Sequence, residues 1–126
     1  MIGELAAVGT GAACGAWLRW GLSTWLNPRA PNFPLGTLAS NLIGGYLIGL
    51  AVAYFLVRAD LPPHWRLFVI TGFLGGLTTF STFSAEVSEH LMRGSYAAGA
   101  ALAMLHLGGS LLLTIAGFAT FRALAH

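Results

Sequence analysis

The sequence predicts an all-α membrane protein: one domain of four transmembrane helices over residues 1–126, the third helix broken near its middle. Three observations carry this reading. The chain is 56% hydrophobic and only 8% charged, where a soluble domain carries roughly a quarter charged residues. Apolar stretches of about the 20 residues that a bilayer requires recur four times between short, turn-rich connections. The third stretch contains Gly72-Phe73-Leu74-Gly75-Gly76-Leu77-Thr78-Thr79-Phe80-Ser81-Thr82-Phe83-Ser84, whose glycines and hydroxyls are poor material for an uninterrupted helix. Backbone freed by a break inside hydrocarbon must be satisfied by protein, trapped water or an ion. A break there implies a buried polar site.

The first span is expected from Gly3 to Trp25. Gly11 and Gly15, four apart, make a small-residue face where another helix approaches closely, and Arg19, Trp20 and Trp25 mark the approach to the interface. The loop from Asn27 to Pro34 holds three prolines, with Pro34 suited to the first turn of the next helix. The second span is expected from Leu35 to Val57. Thr37, Asn41, Gly45 and Gly49 recur every four residues and share a face that is polar at one end and small at the other. Asn41 is informative because an amide in a membrane must pair, either as glue between helices or as a contact to something that binds. After Arg58 to His64 comes the broken third segment, from Trp65 to Met92. Glu86 follows the polar cluster closely enough to make a pairing with Arg19 an option, whereas Glu89 and His90 are expected to be solvated. The last span runs from Tyr96 to Leu124. There His106, Ser110 and Thr114 form a polar stripe, in which His106 reads as a hydrogen-bonded packing residue with a pore lining as the sharper alternative.

The chemistry available is narrow. Lysine is absent and no basic run exists, so nucleic acid is not a partner. The single cysteine, Cys14, has no partner for an internal disulfide. No metal-ligand pattern, nucleophile triad or phosphate loop occurs, so no enzyme is expected. What remains near the membrane centre is hydroxyls, one amide, freed backbone and two phenyl rings. Phe80 and Phe83 share a helical face, and the positive edge of a phenyl ring suits an anion stripped of water while hydroxyls and the Asn41 amide donate to it. Freed carbonyls suit a small cation. With no fixed charge in the pathway, the permeant anion must be small. Arg58, Arg66 and Arg122 lie on one side of a four-span chain and Arg19, Arg29 and Arg93 on the other. Three against three sets no orientation, so opposite copies are available to pair into an antiparallel dimer. One copy also has too little polar lining to enclose a pathway.

The stretches Gly11–Arg19, Gly36-Thr37-Leu38-Ala39-Ser40-Asn41-Leu42-Ile43-Gly44 and Gly75-Gly76-Leu77-Thr78-Thr79-Phe80-Ser81-Thr82-Phe83-Ser84-Ala85-Glu86 resemble the Fluc (CrcB) fluoride channels of bacteria, and the resemblance covers the whole chain. It implies a passive, highly selective fluoride channel in the bacterial inner membrane: a multi-pass, dual-topology homodimer with two antiparallel pathways and a central structural sodium ion (Na+). Carried over by position, Phe80 and Phe83 match the ring-edge pair beside the fluoride path and Asn41 the pore asparagine. Ser81, Thr82, Thr37, Ser110 and Thr114 match polar positions along or near the route, and Arg19 matches a vestibule arginine. Gly75 and Thr78 match the positions whose backbone carbonyls hold sodium from both subunits. The competing class is a small four-span, dual-topology multidrug antiporter, which needs a membrane-embedded carboxylate in its first span. That span holds only Glu4, near its start. A third class, a non-transporting assembly subunit, needs only a small-residue packing face and leaves the hydroxyl and phenyl cluster without a purpose.

Overall fold

The computed structural model describes residues 1–126 and is helical throughout, with no strand. Helix α1 spans Ile2–Leu26 and ends in a single 3-10 turn, Asn27–Arg29. Helix α2 spans Leu35–Val57, with Pro34 just ahead of it as the capping residue rather than inside its first turn. Helix α3 (residues 63–77) opens with the α-turn Pro63–Arg66, widens into a π-helical stretch over Leu67–Leu74 and closes with Gly75–Leu77. Helix α4 spans Phe80–Met92 and α5 spans Tyr96–Leu124. Between α4 and α5, Gly94 turns the chain with φ +79°, and Ser95 N donates to His90 O at 2.8 Å, satisfying a carbonyl that the helix end leaves open.

Three segments are long and apolar enough to cross a membrane: Leu35–Val57, Pro63–Met92 and Tyr96–Leu124. Helix α1 matches them in length at 25 residues but is diluted by Gly, Thr, Glu4 and Arg19. At 1.5 Å per residue the 15 residues of α3 rise about 22 Å. That is short of the roughly 30 Å hydrocarbon core, so only α3 and α4 together make a full crossing. Their junction lies within the apolar 30-residue segment Pro63–Met92.

Packing rests on glycine. Helix α1 lies along α3 and α2 along α5. A Cβ on Gly72 would sit 2.8 Å from Val8 O, and one on Gly76 would run into Ala12 O. On the other pair, a Cβ on Gly49 would strike Thr114 O, and one on Gly117 would strike Tyr46 O. The small faces expected around Gly11, Gly15, Gly45 and Gly49 are therefore where backbones meet. Only 18 of the 126 residues are buried, too few for a water-soluble core. Large apolar side chains such as Trp17, Trp20, Leu112 and Ile115 face outward, as lipid or a second copy requires. His90, expected in solvent, is buried against Gly99 on α5, while Glu89 is exposed. The α2–α3 turn carries an exposed Arg58–Asp60 pair at 3.0 Å, and that hydrogen bond holds the Asp60 carboxyl below its usual range.

A cleft at the break in the third span

The helix breaks at two residues. Thr78 is extended at φ −89°, ψ 151° and Thr79 at φ −147°, ψ 118°, after which α4 begins with Thr79 as its cap. Thr79 Oγ1 accepts from Thr82 N at 3.2 Å, the ordinary work of an N-cap hydroxyl. Thr79 N, which in a continuous helix would donate to Gly75 O, donates to Asn41 Oδ1 at 2.8 Å instead. Thr82 N, which would donate to Thr78 O, is the amide taken by the Thr79 hydroxyl. Gly75 O and Thr78 O thereby lose their helical partners. A third carbonyl, Gly76 O, accepts from Arg19 Nε at 3.0 Å. Arg19 is thus drawn into the break, and it does not pair with Glu86. Glu86 Oε1 accepts instead from the Thr37 hydroxyl at 2.6 Å.

Beside the break is an open cleft of about 450 Å³, walled by α2, α3, α4 and α5. Asn41, Gly75, Thr78, Phe80, Phe83, Ser110 and Thr114 all line it. No carboxylate, lysine or arginine is among its walls. The rings of Phe80 and Phe83 meet edge to face, 5.4 Å between centroids at 74°. Phe80 is 79% exposed, so one chain leaves that wall of the cleft uncovered. Ser110 Oγ makes no hydrogen bond within the chain, whereas the Thr114 hydroxyl is turned back onto Gly45 O and Ser110 O, at 2.8 and 2.9 Å. Thr37, Ser81, Thr82 and Arg19 lie off the cleft wall. Of these, Ser81 is exposed at the start of α4, with its hydroxyl 3.3 Å from that of Thr79.

Asn41 is placed differently from a free pore donor. Its Oδ1 and Nδ2 engage Thr79 N and O, at 2.8 and 3.0 Å, as one strand engages another. Its second N–H reaches His106 Nδ1 at 2.9 Å. Both donors of the amide are therefore spent inside the protein. His106 is both of the things its stripe allows, a hydrogen-bonded packing residue and part of the cleft wall: it is 3% exposed, with its ring 4.5 Å from that of Phe83. The four-residue spacing to Ser110 and Thr114 was the available signal. What periodicity could not supply was the partner on α2.

A family profile described as CrcB-like protein, Camphor Resistance (CrcB), matches residues 6–118. The chain is 64% identical to the fluoride-specific ion channel FluC of Cupriavidus taiwanensis over 119 residues, 94% of each chain. It is 61% identical to the protein of the same name from Ralstonia pickettii over 92% of each chain. To that of Burkholderia pseudomallei it is 59% identical, over 98% of this chain and 96% of the other.

Proposed function

This chain belongs to the CrcB family, and on that premise we propose that it is a fluoride-specific ion channel, a passive pore and not an enzyme. The observation that carries the reading is the cleft at the helix break, which combines phenyl edges and a free hydroxyl with no charged side chain. Such a wall does not attract anions by charge. It rewards an anion small enough to exchange its water for ring edges and hydrogen bonds, and it penalises a larger one that does not fit. Phe80, Phe83 and Ser110 are the contacts to the ion, with Thr114 further along the same stripe. Asn41 fixes the wall by holding Thr79, and Ser81, Thr82, Thr37 and Arg19 support the break and its approaches.

The direction of flow follows from chemistry. Hydrogen fluoride crosses membranes as the neutral acid and dissociates inside, where the anion is trapped. An inside-negative potential supplies about 2.3 kcal/mol per 100 mV to an anion leaving, equivalent to roughly a fiftyfold concentration ratio. A passive pore in the bacterial inner membrane then exports fluoride without further energy. Four spans per copy and an antiparallel pairing of two copies complete the proposal. It is supported by the uncovered Phe80 wall and the near-even arginine count.

A sodium ion fits the break by the chemistry of its donors. Gly75 O and Thr78 O are neutral oxygens without their helical amides, which suits a hard monovalent cation. Two carbonyls from one chain are too few to replace a hydration shell, so the ion belongs on an axis where a second copy offers the same pair. Its charge would offset part of the cost of fluoride nearby.

The multidrug-antiporter alternative loses its proton carrier. Glu4 sits at the exposed start of α1, 2.6 Å from the terminal amine. The test is efflux from liposomes under a potassium–valinomycin potential, followed with a fluoride electrode. Fluoride leaves without a proton gradient, chloride stays, and replacing sodium by a bulky organic cation slows the flux. Comparable chloride efflux, or fluoride movement only with a proton gradient, overturns the channel. Full flux after exhaustive sodium removal overturns the cation site alone.

A further inference from the structure

His106 is joined to the break by a chain of hydrogen bonds whose directions are forced. Thr79 N can only donate and Thr79 O can only accept, so the Asn41 amide must present Oδ1 to the first and Nδ2 to the second. The remaining hydrogen on Nδ2 points to His106 Nδ1 at 2.9 Å. That nitrogen must therefore be a bare acceptor, and the proton of the neutral ring must sit on Nε2. Nε2 is itself buried with no partner in the chain, so the bond to Asn41 is the only protein contact that selects a tautomer. Phe83 covers the ring, 4.5 Å between centroids and tilted by 32°.

We propose that His106 is a positioning residue: in its Nε2–H tautomer it accepts from Asn41 through Nδ1 and so holds Asn41 on Thr79, fixing the break beside the cleft. This rests on the channel reading for its functional consequence but not for its chemistry. Without the acceptor, the second Asn41 N–H is left unsatisfied next to the cleft. The amide is then free to turn away from Thr79, and the wall that carries Phe80 moves with it. The ring also backs Phe83, so one side chain on α5 sets both the break and a phenyl edge.

Two substitutions separate this role from bulk packing. In His106→Asn, Oδ1 is bonded to Cγ as Nδ1 is and keeps the acceptor in place. In His106→Gln the polar group lies one bond further out, near Nε2, and the acceptor facing Asn41 is lost. Fluoride flux in liposomes should stay within about threefold of the unmodified protein for His106→Asn. It should fall about tenfold for His106→Gln and for His106→Leu, the factor that corresponds to one ordinary hydrogen bond. Equal losses in the Asn and Gln variants, or flux retained in Gln, overturn the proposal. A second measurement needs no folded variant of altered activity. In unmodified protein labelled with 15N-histidine, the signal missing from His106→Asn should report a proton on Nε2 and a bare Nδ1. A proton on Nδ1 overturns the proposal. Unmodified protein that moves no fluoride would sink the channel reading while leaving the tautomer result standing.

Discussion

Phe80 and Phe83 are neighbours on one face of α4, yet they carry different burdens. Phe80 is 79% exposed in the single chain, so little of its fold depends on that ring. Phe83 is half-buried against His106. Phe80→Ile removes a ring edge at a cost of about 1 kcal/mol to the aromatic pair, and Phe83→Ile adds a repacking cost of roughly 1–3 kcal/mol. If ring edges solvate the ion, both changes lower fluoride flux by about tenfold or more, the factor that such a lost contact implies. They should do so in protein that still elutes where the unmodified protein does. Thermal melts should separate the two, with Phe83→Ile the less stable. Wild-type flux in both variants would return the pair to a packing role.

At the scale of the element, α3 shows why two adjacent glycines are not equivalent. Gly76 is held against α1, where an added Cβ would meet Ala12 O. Gly75 faces the cleft, and a Cβ there finds nothing nearer than Ile70 O at 3.7 Å. Gly76→Ala should therefore destabilise the chain by about 1–3 kcal/mol through overpacking. Gly75→Ala should leave a single chain unharmed and can even favour its helix by up to about 1 kcal/mol. If the Gly75 carbonyl serves a shared ion on a two-fold axis, Gly75→Ala instead weakens the dimer and slows flux. Measured together, subunit dissociation in detergent and fluoride efflux decide it. No effect of Gly75→Ala on either places the symmetric contact elsewhere. The π-helical stretch Leu67–Leu74 lies directly before this region; its wider turns stand against α1 at Gly72, where the backbones nearly touch.

At the scale of the molecule, the arginine balance is nearly even. Arg19 is drawn inward to Gly76 O, leaving Arg58, Arg66 and Arg122 against Arg29 and Arg93 at the span ends. A bias this weak permits both orientations. Adding Asn32→Lys and Ser95→Lys to one side should insert nearly all copies the same way, remove opposite partners and lower flux. Flux should return when this variant is co-expressed with a copy biased the other way. Reagent confined to one side that labels every unmodified copy at an introduced loop cysteine would refute the mixed orientation.

Composition and spacing determined the membrane class, the helix limits to within a residue or two, the break and the small-residue faces. Each follows from local chemistry that a linear pattern records: apolar length, the glycine repeat, and the hydroxyl run that competes with its own backbone. The residues of the cleft were legible in the same way, because Asn41, Phe80, Phe83 and Ser110 lie on recurring faces. Tertiary structure alone decided the partners. Arg19 goes to a carbonyl and not to Glu86, Glu86 goes to Thr37, and both donors of Asn41 are spent on Thr79 and His106. These pairings join residues 38 to 65 positions apart. A buried polar group takes whichever complement the packing brings within about 3 Å, and helical spacing tells which face a residue occupies but not what stands opposite.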